Sequence, residues 1–108
     1  MSGLDKLYVA RKLLLKKLLT EIKDEYIDDE RPFLKITFFK GSILHIRYND
    51  YDEYSYHLNF SQEHLDRIRY DNYDDRWNVN SKPHHLHPRG KTEATESPMN
   101  GDKNMIRW

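Results

Sequence analysis

Leu34-Lys35-Ile36-Thr37-Phe38-Phe39-Lys40-Gly41-Ser42-Ile43-Leu44-His45-Ile46-Arg47-Tyr48 alternates apolar and polar residues on both sides of a Lys-Gly-Ser step. A period of two places one set of side chains on each face of an extended strand. Lys40-Gly41, or Gly41-Ser42, supplies the tight turn of a hairpin. Leu34, Ile36 and Phe38 then oppose Lys35 and Thr37, while Leu44, Ile46 and Tyr48 oppose Ile43, His45 and Arg47. Downstream, Asn49-Asp50-Tyr51-Asp52 forms the next turn, and Tyr54, Tyr56, Leu58 and Phe60 alternate with Ser55, His57 and Asn59. After a break over 61–65, Asp66-Arg67-Ile68-Arg69-Tyr70 reads as a fourth strand.

Upstream the period changes. Leu4, Leu7, Tyr8, Arg11, Leu14, Leu15, Leu18, Leu19, Ile22 and Tyr26 recur at three- and four-residue steps, which predicts an amphipathic helix over 4–26, capped by Ser2. Lysines early and acids late oppose the macrodipole of such a helix, so packing has to hold it. The expected fold is α+β: an N-terminal amphipathic helix packed on a four-stranded antiparallel meander, followed by a His-rich loop and a polar tail. Residues 1–90 are expected to form one domain and residues 91–108 a flexible or extended tail, since 91–102 offer little to bury. Met105-Ile106-Arg107-Trp108 ends on an aromatic that is expected to dock or stay exposed.

Composition narrows the function classes. Only 37 % of the 108 residues are hydrophobic and 33 % are charged, so the core is lean and lies before Ile68. The formal net charge is zero, which excludes a protein that grips nucleic acid by bulk charge. There is no cysteine, hence no disulfide or thiolate zinc site. Lysines flank Leu13-Leu14-Leu15, so neither a signal peptide nor a membrane span is expected, and the default location is the cytoplasm. Leu13 and Leu19, at the edges of the apolar stripe, are where a homodimer interface would form.

If the apolar set faces the helix, His45, Arg47, Ser55, His57, Asn59, Arg67 and Arg69 share the other face. That face is either an ordinary solvated surface or a phosphate-binding one, since arginine forks match phosphate geometry and histidine transfers protons near neutral pH. Tyr70, Tyr73 and Trp77 could stack on single-stranded bases or belong to the core or rim.

Three of six histidines fall in Pro83-His84-His85-Leu86-His87-Pro88-Arg89-Gly90. Three readings stay open for them. In an extended backbone His85 and His87 point to one side and could chelate a divalent transition metal, with Asp71 or Asp74 as third ligand and His84 pointing away. The cluster with Arg47, Arg67, Arg69 or Arg89 also contains the parts for metal-independent acid–base cleavage of RNA. It could equally be structural, hydrogen-bonding its own loop.

Arg69-Tyr70-Asp71-Asn72 at a strand end, an aromatic linker, then Pro83-His84-His85-Leu86-His87 and a downstream Gly resemble the TumE-type toxins of prokaryotic toxin–antitoxin modules. The likeness covers roughly residues 34–90. The region 73–77 lacks the second His pair common in that family, and the tail is helix-poor. The resemblance implies a small toxin neutralised by a cognate antitoxin and acting on RNA as an endoribonuclease. It points to Tyr70, Asp71, Asn72, His84, His85 and His87. The expected roles are catalysis for His84, His85, His87, Asp71 and Asn72, and RNA binding for Arg47, Arg67, Arg69, Tyr70 and Arg89. No cofactor is expected, with a metal at His85 and His87 as the alternative. The architecture is also similar to the RelE-type ribonuclease toxins. A non-catalytic module that binds protein or nucleic acid is the competing expectation.

Overall fold

The computed structural model describes residues 2–73 and 79–98. Asp74 and Trp77, and the ending at 105–108, lie outside the described residues. A helix, α1 (Gly3–Leu18), and a short 3-10 turn (Leu19–Glu21) lead into β1 (Ile22–Asp28), β2 (Phe33–Phe38), β3 (Ile43–Tyr48), β4 (Tyr54–Asn59), β5 (Arg67–Asp71), β6 (His85–His87) and β7 (Thr95–Glu96). The strands form one antiparallel sheet in chain order, β1 to β7. The fold class is α+β, as expected. The sheet has seven described strands where the alternation showed four.

The helix begins where Ser2 predicts. The Ser2 hydroxyl accepts from the Asp5 N–H (3.1 Å), and the Asp5 carboxylate accepts from the Ser2 N–H (3.2 Å). This reciprocal cap satisfies donors that the first helical turn leaves without partners. Gly3 is required because a Cβ there would sit 2.9 Å from the backbone of Asn49. The Gly3 N–H also donates to Asp50 (2.7 Å), which pins the helix start to the β3–β4 turn.

Two expectations about the helix are corrected. It ends at Leu18, and residues 22–26 belong to an edge strand. Ile22 pairs with Phe38 and Asp24 with Thr37, so Lys23 is an extra residue, a β-bulge. The bulge breaks the period of two. Ile22 and Ile27 both pack on the core, whereas Tyr26 is 59 % exposed. The spacing of Ile22 and Tyr26 therefore imitates a helical turn. Ending the helix at Leu18 also reverses the dipole argument: Asp5 lies in the first turn and Lys16 and Lys17 in the last, each favourable to the macrodipole. Arg11 of α1 then reaches Glu25 of β1 with a forked ion pair (Nε to Oε1 3.1 Å and to Oε2 3.0 Å) that ties the edge strand to the helix.

The core joins Leu7, Ala10 and Leu14 of α1 to Leu34, Ile36 and Phe38 of β2, Leu44, Ile46 and Tyr48 of β3, and Tyr54 and Tyr56 of β4. Burying each large apolar side chain is worth roughly 1.5–3 kcal/mol. The Tyr48 and Tyr56 hydroxyls bond to each other and their rings meet edge to face at 5.8 Å, so neither buried oxygen is left unpaired. The helix packs mainly on β3 and β2.

The hairpin turn at Lys40-Gly41 is present, with Gly41 at φ +101°, a conformation side chains rarely adopt. Asn49 closes the next turn by accepting from Tyr51 N–H (2.9 Å) and Glu53 N–H (3.1 Å). The expected His loop is corrected: its centre is β6, paired with β5 through Arg69–His87, Tyr70–Leu86 and Asp71–His85. Part of the expected tail is also strand, because Thr95 and Glu96 pair with Leu86 and His85. Ser81 holds that pairing by donating to the His84 carbonyl (2.6 Å) and accepting from Ser97 N–H (2.9 Å).

Candidate functional site

Register alone assembles the polar face. In antiparallel pairs, residues directly opposite share a face. One row crosses six strands: Tyr26, Lys35, His45, His57, Arg69 and His87. The adjacent row contains Phe33, Arg47, Ser55, Asp71 and His85. The side chains of β6 thus lie beside the arginines of the sheet because β6 extends it.

Within this face, four residues touch. The Asp71 carboxylate is buried, 3 % exposed, as are His85 (1 %) and His87 (4 %). Asp71 Oδ1 lies 2.7 Å from His85 Nε2 and also accepts from Tyr73 N–H (3.4 Å). Asp71 Oδ2 lies 2.6 Å from Arg69 Nε, an ion pair whose N–H is not aligned for a good hydrogen bond. Arg69 Nη2 donates to His87 Nε2 (2.9 Å), and the two imidazoles meet edge to face at 4.8 Å. His85 Nδ1 lies 3.0 Å from the Pro83 carbonyl oxygen. Both His85 nitrogens therefore face acceptors. His87 is the opposite case. A guanidinium only donates, so His87 Nε2 must be the bare nitrogen.

Electrostatics agrees for His87. Burial first, and the adjacent Arg69 charge second, push its imidazole down to about 4. The same two causes, in that order, lower His57, and burial followed by the neighbouring His57 lowers His45. These rings are neutral near pH 7. A histidine in the unfolded chain takes its proton near 6.5, whereas folded His87 refuses it until about 4. Its contribution to stability is thus complete above about 6.5 and is lost as pH falls toward the folded value. The full penalty approaches about 3 kcal/mol. Urea denaturation at about pH 7.5 and about pH 4.5 should show a larger acid loss in the native chain than in His87→Gln, by about 2 kcal/mol. Equal losses would mean that His87 is not held neutral.

Of the remaining expected site residues, Arg47 and Arg67 share this face by register but stand apart from the four, and the others lie elsewhere. His84 is on the helix side of the sheet, where its Nδ1 meets the Tyr54 hydroxyl at 2.8 Å and its ring stacks on Tyr54. Tyr70 faces the same way and packs against the core. Asn72 is engaged structurally: its Oδ1 accepts from Tyr54 N–H (2.8 Å) and its Nδ2 donates to the Asp52 carbonyl (3.0 Å). Arg67 donates to the carbonyls of Pro88 and Lys91, both at 2.8 Å, and so clamps the segment after β6. Arg89 pairs with Asp66 (2.5 Å) and lies 3.9 Å over the Phe60 ring. Arg47 stays exposed, its guanidinium 4.4 Å over Phe33.

Asp71, His85 and His87 bring ligand atoms within 4.8 Å of one another, and His85 has the second-nitrogen support typical of metal-bound imidazole. Arg69 opposes a cation there, since it contacts both Asp71 and His87. Sequence reasoning did not include Tyr26, Phe33 and Lys35 in the face. Phe33 was legible in principle, because it continues the polar parity of Lys35 and Thr37 by one more step.

A family model described as Toxin TumE matches residues 10–105. No curated protein and no solved structure matches the chain. Among the described residues, no helix is long and apolar enough to cross a membrane.

Proposed function

The chain belongs to the TumE toxin family, and from that membership we propose that it arrests growth by cutting RNA at the His57–Arg69–His87 segment of the polar sheet face. As a member it is the toxin of a toxin–antitoxin system, and its partner is a cognate antitoxin. The observation that carries the RNA reading is the placement of one guanidinium between two neutral imidazoles in a single register row.

Arg69 holds the scissile phosphate. One flanking histidine takes the proton of the ribose 2′-hydroxyl, whose oxygen attacks phosphorus and forms a 2′,3′-cyclic phosphate. The bond from phosphorus to the 5′-oxygen breaks, and the second histidine, protonated, returns a proton to that oxygen. A bound phosphodiester offsets the Arg69 charge, which is one of the causes that lower both rings, and so makes it easier for one of them to be the acid. Asp71 and His85 are positioning residues in this scheme. Asp71 contacts the Arg69 guanidinium and His85 contacts Asp71, so together they fix its orientation. The scheme uses no metal: Arg69 sets a fixed positive charge against Asp71 and His87, where an ion would otherwise sit.

The test is incubation of purified protein with total RNA, with and without a chelator. Fragments ending in 2′,3′-cyclic phosphate, indifferent to chelator, are the expected result. Intact RNA from protein that still arrests growth would overturn it. A second reading, a transition-metal centre on Asp71, His85 and His87, is favoured by their clustering. It requires about one tightly held ion per chain and loss of activity on chelation.

A further inference from the structure

Resting on the RNA reading, we propose that the substrate is single-stranded and that it runs across the strands, from the Arg69 site over β4, β3 and β2 to the edge strand β1, with bases stacked on a shelf of rings. The row that contains Arg69 continues as His57, His45, Lys35 and Tyr26, three rings interspersed with a second cation. From β1 to β6 it crosses five strand spacings, about 24 Å at about 4.8 Å each.

The rings touch along this line. His45 meets His57 edge to face at 6.1 Å, lies nearly parallel to Phe33 at 5.6 Å (interplanar angle 13°), and Phe33 lies 6.4 Å from Tyr26. Arg47 caps Phe33 at 4.4 Å and remains exposed, and Tyr26 is 59 % exposed. Phe33, His45 and His57 are half-buried, so these rings stand partly in water beside cations. Single-stranded nucleic acid combines a phosphate chain with free base faces, so cations and rings in one line suit both of its parts. A duplex buries its base faces and offers only phosphates to such a surface. An acidic protein segment would use Lys35, Arg47 and Arg69 but leave the rings without a counterpart.

The experiment is fluorescence anisotropy with a labelled 2′-O-methyl oligoribonucleotide, which lacks the attacking hydroxyl and so reports binding without cleavage. Its duplex and a polyglutamate competitor are the comparison probes. The single strand should bind at least about ten-fold tighter than its duplex, with a salt slope near −2 from three phosphate contacts. Tyr26→Ala, an exposed edge-strand change, should weaken it about ten-fold, and Arg47→Ala should lower the slope by about 0.7. Equal affinity for duplex, an unaffected Tyr26→Ala variant, or displacement by polyglutamate as readily as by the free single strand would overturn the proposal. If binding follows this pattern while total RNA stays intact, the track stands and the cleavage reading falls. If RNA is cut equally well by Tyr26→Ala, cleavage stands and the track falls.

Discussion

His87→Gln is expected to abolish growth arrest on expression while leaving the sheet folded. The substitution removes the imidazole that flanks Arg69 but keeps an amide able to accept from its Nη2, so the Arg69 contact need not be lost. A positioned acid or base contributes about 10²–10⁴-fold to such a reaction, and RNA cleavage should fall by that range. His57→Gln is expected to behave alike, because His57 occupies the corresponding place on the other side of Arg69, with its Nε2 3.2 Å from Asn59 Oδ1. Circular dichroism and urea denaturation separate this from unfolding. Full toxicity of both folded variants would exclude the two histidines from the chemistry. The paired Ala changes at His85 and His87 should also end toxicity, but through lost positioning as much as lost proton transfer.

Asp71→Leu carries the largest expected stability effect. The carboxylate is 3 % exposed and faces His85, Arg69 and the Tyr73 N–H together. Removing it leaves the buried His85 Nε2 without its carboxylate and the partly exposed Arg69 without its counter-charge. Loss of one partner from a buried pair costs about 3–5 kcal/mol, and the exposure of Arg69 brings this toward about 3. Replacing His85 by Leu as well should recover part of that loss, because the buried imidazole nitrogen no longer faces an apolar side chain. The readout is the urea midpoint of the native chain, both single variants and the double. A loss below about 1 kcal/mol for Asp71→Leu, or strict additivity in the cycle, would show that this pair does not hold β6 on β5. Toxicity should vanish in the single variant, since β6 carries His87.

Much of the fold was legible in residues 34–70. Period-two alternation fixed which residues face the helix, and the structure keeps that assignment for Leu44, Ile46, Tyr54 and Tyr56. Gly41, Asn49 and Ser2 did what their chemistry requires at turns and caps. The errors have a common origin in short or interrupted strands. The bulge at Lys23 hid β1 behind a helical spacing, and β6 has too few residues for any alternation to show. Among the candidate site residues, His85, His87, Asp71, Arg69, Arg47 and Arg67 lie on one face, with Arg67 bonded to the carbonyls of Pro88 and Lys91, whereas His84, Tyr70, Asn72 and Arg89 are engaged elsewhere.

By itself the sequence determined the class of fold, the inner and outer faces of the central strands, and the chemistry available on the outer one. All three follow from local covalent rules: side-chain parity along a strand, glycine at positive φ, a hydroxyl at a helix start. Only the tertiary structure decided which histidines share a face with Arg69. That depends on pairing between β5 and β6, and the hydrogen bonds of such a pairing are made by backbone groups that every residue carries. Register across a loop therefore leaves little local trace, and it is register that sets His87 beside Arg69 and turns His84 to the other side.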